Sequence, residues 1–307
     1  MHKFNIDFMG NRRIMFGISL TLIAISIAAL AFRGLQFGVE FKGGTVINVA
    51  NAKGVSQAEM ANAVAAAGIK DASVQTAVVN GQTGFIIRTS VTDPATANGD
   101  AQKAAAELNK TTVRIPAGDF QVTTIGPGWG KSVTNAALIA LAVSLLAILL
   151  YVSIRFEYKM SVTAILALVH DILITLGIYA LIGYEVTPNT VAALLAVLGY
   201  SLYDTIVVFH RIKENSQGLV KQSFMSMANE SINQVLVRSI NTSLTSLIPV
   251  VVLLIFGGPT LKDYALALTI GLISGAYSSI GVAAPIYAMW KEREPKYAAL
   301  AKKFAKA

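Results

Sequence analysis

Six long apolar stretches constrain this chain more than any other feature. A helix needs roughly 20 mostly apolar residues to cross about 30 Å of hydrocarbon. Residues 14–32, 133–154, 161–182, 191–209, 237–256 and 264–290 each meet that length, and the last is long enough to tilt. Of the 307 residues, 54% are hydrophobic and only 14% are charged, against about a quarter charged in a soluble domain. The chain holds no cysteine, which excludes disulfide frameworks and thiolate metal sites. Its net charge of +8 does not point to nucleic acid, because no basic stripe with interleaved aromatics accompanies it.

The basic residues instead report orientation, since short cytoplasmic loops carry the excess of Lys and Arg. Lys3, Arg12 and Arg13 precede the first span, Arg155 and Lys159 separate the second from the third, and Arg211, Lys213 and Lys221 separate the fourth from the fifth. Lys291, Arg293, Lys296, Lys302, Lys303 and Lys306 follow the sixth. With six spans, all these segments share one side. The opposite short segments are poor in base: residues 183–190 have none and 257–263 have only Lys262. Both termini are therefore expected in the cytoplasm. Ala29-Leu30-Ala31 resembles a signal-peptidase site, but the apolar run before it is longer than the usual signal core, and its removal would leave five spans.

The segment between the first two spans reads differently. Residues 45–49 form a strand, Ser56 caps a helix that carries Glu59 and stops at Gly68, and 73–79 alternate as a strand. Asn80-Gly81 is a hairpin turn into a return strand over 84–90. Asp93-Pro94 opens a second helix to about Leu108, and 120–125 is a last strand. That β-α-β-β-α-β order is the ferredoxin-like arrangement. The fold class expected is thus a membrane all-α six-helix bundle with a small inserted α+β domain on the extracytoplasmic side. Its parts are a cytoplasmic N-terminus and first span (1–32), the extracytoplasmic domain with its linkers (33–131), spans two to six (132–290) and a basic cytoplasmic tail (291–307). The inserted domain shows no catalytic or metal-ligating cluster. Gly130-Lys131-Ser132 looks like part of a phosphate loop, yet Ile125 stands where the first glycine of that loop belongs, so glycines that turn the chain into the second span explain it better. No enzyme activity, cofactor or metal is expected.

Ionisable residues inside the spans carry the functional signal, because each costs a few kcal/mol in hydrocarbon. Asp204 lies in the fourth span, about 7–10 Å from its cytoplasmic end at 1.5 Å per residue. Arg238 begins the fifth span on the same side, so carboxylate and guanidinium are placed to pair. Arg238, Thr242, Thr245 and Pro249 form a polar stripe at helical spacing, with Asn241 and Ser246 beside it, and Tyr200, Ser201 and Tyr203 accompany Asp204. His170 and Asp171 fall near the middle of the third span. Polar groups of this kind either glue helices together or handle protons. A carboxylate that alternately meets a cation and water changes its proton affinity between the two states.

Four segments in order carry a resemblance: Gly38-Val39-Glu40-Phe41-Lys42-Gly43-Gly44-Thr45 after the first span, Gly126-Pro127-Gly128 before the second, residues 198–215 around Asp204, and Arg238-Ser239-Ile240-Asn241-Thr242-Ser243-Leu244-Thr245. They closely resemble the SecF branch of the SecD/SecF family of bacterial protein-export subunits, over nearly the whole chain. The resemblance implies a multi-pass protein of the bacterial inner membrane, in an arrangement like resistance-nodulation-division transporters. It implies SecD as partner, association with the SecYEG channel after the SecA motor, YajC and YidC as further partners, and an unfolded polypeptide as the moving cargo. It further implies use of the proton-motive force, with Asp204 and Arg238 in the proton path; the supporting polar residues, Tyr203, Thr242, His170 and Asp171, come from the reading of the spans and not from the resemblance. Gly38, Glu40, Gly43, Gly44, Gly126, Pro127 and Gly128 match the family's connecting motifs. Three positions depart from the family pattern: Glu40 stands for the usual Asp, Tyr203 for a frequent Asn, and His210 for an Asp. A self-contained proton-coupled exporter of small amphiphiles is the competing reading. One six-span half with one small domain leaves it little room for a substrate pathway.

Overall fold

The computed structural model describes residues 5–52, 54–69, 71–79, 82–110 and 119–304. A long helix α1 (Arg12–Phe32) is followed by a short strand β1 (Gln36–Phe37) and a single helical turn α2 (Val39–Lys42). Then come β2 (Gly44–Val49), α3 (Gln57–Ala66), β3 (Ser73–Val79), β4 (Gln82–Thr89), α4 (Pro94–Lys110) and β5 (Phe120–Ile125). The helices α5 (Pro127–Arg155) and α6 (Tyr158–Ile182) follow, with β6 (Glu185–Val186) before α7 (Pro188–Ser216). The chain ends through α8 (Phe224–Phe256), α9 (Pro259–Ser278), a π-helical turn (Ser279–Ala283), α10 (Ala284–Glu292) and α11 (Pro295–Phe304).

Among the described residues, six helical segments are long and apolar enough to cross a membrane. They correspond one for one to the six apolar runs. Two of them reach well beyond the expected bounds. α7 continues past Phe209 to Ser216, and α8 begins at Phe224 instead of near Val237. The reason is that apolar content marks the lipid-contacting length, whereas the helix continues wherever packing supports it. Phe224, Met227, Ala228 and Ile232 on this extra length are buried in the main core with Phe209, Ile212 and Tyr287. Asn229 and Asn233 there also hold the N-terminal segment, accepting from the Phe8 and Ile6 amides at 2.8 and 2.9 Å. Arg238 consequently sits within α8 and does not begin it. The sixth span is interrupted, which the apolar run did not reveal. Pro285 has no N–H to offer the Gly281 carbonyl, and the helix widens into the π turn just before it.

α6, α7 and α9 form the buried middle, while α5 and α8 turn rows of large apolar side chains outward. Leu138, Ile139, Leu146 and Ile154 are exposed on α5, as are Ile248, Val252 and Ile255 on α8, a distribution suited to lipid contact. Close approach in the middle depends on small residues. A Cβ on Gly177 would meet Ser26 of α1, and one on Gly271 would meet Val197 of α7.

The inserted module is a four-stranded antiparallel sheet in the order β3-β4-β2-β5. One sheet face is covered by α3 and α4: Ile47, Val49, Phe85 and Ile87 pack with Met60, Val64, Ala104 and Leu108. Ser56 is the N-cap of α3 that the sequence suggested, and with Glu59 it closes a reciprocal capping box. The expected turn at Asn80-Gly81 lies outside the described residues. Gly44 and Ile125 pair across β2 and β5, so the entry and exit of the module lie side by side. Gly44 has φ +143°, and a Cβ there would run into the Thr89 carbonyl.

Gly177→Val is expected to destabilise the helical core by about 1–3 kcal/mol, the usual cost of overpacking. Thermal unfolding of the detergent-solubilised protein measures it, and an unchanged midpoint would contradict the α1–α6 contact.

Candidate functional site

Helical spacing places Tyr200, Ser201, Tyr203 and Asp204 on adjoining faces of the middle of α7. Asp204 is 6% exposed, and its Oδ2 accepts a hydrogen bond from Ser243 Oγ of α8 at 2.9 Å. Ser243 Oγ also lies 2.9 Å from the Ser239 carbonyl of its own helix. Asp204, Tyr200, Thr242, Ser243 and Ser246 line a small cavity of about 20 Å³, together with Leu272 and Gly275 of α9. A space of that size holds about one water molecule.

Arg238 does not pair with Asp204. Its side chain is exposed, and Nη2 donates to the Tyr203 hydroxyl at 3.1 Å. The direct ion pair expected from depth alone is therefore corrected. Matching depth on two antiparallel helices does not set the azimuth, and Asp204 and Tyr203 leave α7 about 100° apart. Tyr203, where the family often has Asn, is thus the residue that engages the arginine. Thr242 Oγ1 returns to the Arg238 carbonyl at 2.9 Å and Thr245 Oγ1 to the Asn241 carbonyl at 2.9 Å. The predicted stripe thereby satisfies its hydroxyls within α8. Asn241, Thr245 and Pro249 remain exposed.

His170 and Asp171 form a second, deeper polar centre. Asp171 is fully buried, and donors from three helices converge on it. Ser201 Oγ of α7 and Ser278 Oγ of α9 donate to Oδ2 at 2.6 and 2.9 Å. Ser274 Oγ of α9 donates to Oδ1 at 2.6 Å. His170 Nδ1 lies 3.0 Å from Oδ1. His170 Nε2 is buried with no hydrogen-bond partner. Ser201 joins the two centres. It lines the Asp204 cavity and bonds Asp171, and its carbonyl lies 3.1 Å from Thr205 Oγ1 and 3.4 Å from Ser279 Oγ. Ser274 and Ser278 escaped sequence reading, although their spacing of four is the signal that would place two hydroxyls on one face.

The connecting motifs meet at the base of the sheet module. Gly38 precedes α2, and its amide donates to the Val186 carbonyl at 3.0 Å. Gly43 ends α2 at φ +81° and Gly44 starts β2. Gly126 precedes α5, with Pro127 at its first position and Gly128 in its first turn. Gly128 has open space around its Cα, so the close approach falls elsewhere: a Cβ on Gly130 would strike the Phe41 carbonyl. Glu40 Oε2 is buried there without a hydrogen-bond partner. Among the described residues no group of three or more His, Asp or Glu is placed to hold a metal ion.

Comparison with known proteins gives a consistent picture. Residues 104–293 match the family described as protein export membrane protein SecD/SecF, C-terminal, and residues 28–50 match the SecD/SecF GG motif. Protein translocase subunit SecF of Streptomyces coelicolor is 41% identical over 305 residues, covering 97% of this chain and 80% of the relative. The same subunit of Mycobacterium tuberculosis is 38% identical over 299 residues, covering 94% and 67%. The crystal structure of SecDF from Thermus thermophilus, a translocon-associated membrane protein, superposes with a TM-score of 0.82 at 32% identity. That match covers 94% of this chain but 39% of the solved one. A SecDF structure in a super-membrane-facing form gives a TM-score of 0.71 at 30% identity, covering 100% and 41%. The chain therefore spans about two fifths of the SecDF chains it matches.

Asp171→Ala is expected to cost about 3 kcal/mol or more, since several buried donors lose their acceptor at once. Ser274→Ala, which removes one donor, is expected to cost nearer 1 kcal/mol. Unfolding midpoints of the two variants in detergent check this order, and equal midpoints would refute the hub.

Proposed function

This chain belongs to the SecD/SecF family, in its SecF branch, and from that premise we propose that it works with SecD to complete SecA- and SecYEG-dependent export using the proton-motive force. Asp204 is the proton-carrying group in this reading, and Arg238 is its switching partner. The observation that carries it is the buried Asp204 carboxylate beside a water-sized cavity, with Arg238 held off on Tyr203. Such a carboxylate has two available environments: the serine-lined cavity described above, and contact with a guanidinium that has swung inward. Exchange between them changes its proton affinity, because a cation favours the ionised form and desolvation opposes it. One charge crossing the membrane potential carries about 2.3 kcal/mol per 100 mV, enough to bias helix packing. His170 and Asp171 act as the fixed polar support behind that site, through Ser201. In this reading the chain makes and breaks no covalent bond, and its role is mechanical.

Within the same proposal the protein sits in the bacterial inner membrane with both termini in the cytoplasm and the sheet module outside. The basic residues of the short connecting segments support that orientation. The module is read as ferredoxin-like; its support is the β-α-β-β-α-β order and the sheet order β3-β4-β2-β5. SecYEG, YajC and YidC are the wider partners, and the translocating unfolded chain is the cargo.

Asp204→Asn is expected to abolish proton-dependent stimulation of late export while membrane insertion and assembly with SecD stay intact. Arg238→Met should give the same defect. Translocation into inverted vesicles with and without a proton gradient measures both, and full stimulation in either variant would sink the assignment.

A further inference from the structure

Arg88 is a basic side chain of the sheet module that pairs with the helix side, and it takes no part in the proposed proton site. Arg88 of β4 is 9% exposed. Its Nε lies 2.9 Å from Glu185 Oε2, in the short link between α6 and α7. Among the described residues this is the one ion pair that joins the module to the helices. Two further side chains of the module hold the contact. Gln75 Oε1 accepts from Arg88 Nη1 at 2.9 Å, and Ser73 Oγ donates to Glu185 Oε1 at 3.1 Å.

Arg88 stands between two cavities. One, of about 240 Å³, is shared with Glu185 and Ser73. The other, of about 220 Å³, is shared with Glu40 and Asp263. Three carboxylates on the helix side thus surround one guanidinium on the sheet side. Asp263 accepts from the Tyr184 hydroxyl at 2.9 Å, whereas Glu40 Oε2 is buried with no hydrogen-bond partner. Neither Arg88 Nε nor Glu185 Oε2 makes an aligned hydrogen bond. Burial pushes the Glu185 carboxyl above its ordinary range, Arg88 and Ser73 offset this only in part, and Glu40 and Asp263 push it further up.

Chain entry and exit are adjacent at the Gly44–Ile125 pair, so the module is attached along one line, as a flap is to its hinge. Glu40 moves with the helices, because Gly38 bonds Val186 and Phe41 packs with the α6–α7–α9 cluster. Arg88 moves with the sheet, through its register opposite Val46 and Ser73.

We propose that Arg88 is a two-position latch: bonded to Glu185 it holds the module in the orientation seen here, and transferred to the unpartnered Glu40 it holds a second orientation. Packed interfaces with two discrete arrangements convert small shifts into such switches. The inference does not depend on protonation of Asp204, and its test reads geometry alone.

The chain has no cysteine, so Ala95→Cys and Leu181→Cys, both at exposed positions, accept spin labels directly. Pulsed EPR on the full chain assembled with SecD in proteoliposomes gives the module-to-helix distance distribution. Glu185→Gln should shift the ratio of two distance populations by about fivefold or more, and Glu40→Gln should shift it the opposite way. Arg88→Glu should deplete the main population, and adding Glu185→Arg should restore it. Identical distributions for wild type, Glu185→Gln and Glu40→Gln would overturn the latch, and so would failure of the charge swap to restore the wild-type distance. Export stimulation by Asp204 variants is a separate readout, so either reading can fail alone.

Discussion

A carboxylate buried among apolar helices has no water to turn to, and the arrangement of α6, α7 and α9 follows from how Asp171 is satisfied. Its two oxygens take hydrogen bonds from serines on two other helices. Those bonds require the backbones to come close, which explains why Gly271 and Gly275 of α9 face Val197 and Ser201 of α7. Ser278 precedes the π turn and Ser279 opens it, and Thr205 Oγ1 meets Ser279 Oγ at 2.9 Å. The helix irregularity thus lies where the polar demand is greatest, as π turns often do. Fixing this centre fixes the azimuth of α7, and with it the direction in which Asp204 points.

Two polar centres, Asp171 on α6 and Asp204 on α7, then differ in their surroundings. Asp171 has many donors and no exposure, which suits a rigid support. Asp204 has one serine donor from another helix and a water-sized cavity. Tyr203 holds Arg238 on the outer face. The difference in environment, and not the identity of the side chain, separates a structural carboxylate from one suited to changing partner. A similar economy appears at the base of the sheet, where three carboxylates face Arg88.

Much of the fold was legible in the chain. Lengths of apolar runs give the span count because hydrocarbon thickness sets a minimum that few soluble segments reach. Ser56 with Glu59, and the alternation over residues 73–79, are local signals that produce local structure. Helix ends were less legible. The extension of α8 back to Phe224 rests on contacts with α7, α10 and the N-terminal segment, and no apolar run records them. The site was legible in part: Asp204, Arg238, His170 and Asp171 stood out as costly charges, whereas Ser274 and Ser278 are unremarkable until another helix supplies their acceptor.

The sequence by itself determined that this chain carries six segments long and apolar enough to cross a membrane, that a strand-and-helix segment separates the first two, and which ionisable residues lie within those six. These follow from composition and period along a single segment. Only the tertiary structure decided that Arg238 engages Tyr203 and not Asp204, that Asp171 is the hub, and that Arg88 joins the module to Glu185. Each of those depends on the rotation of one helix or strand against another. That rotation is set by close packing of small residues from distant parts of the chain, which no single segment encodes.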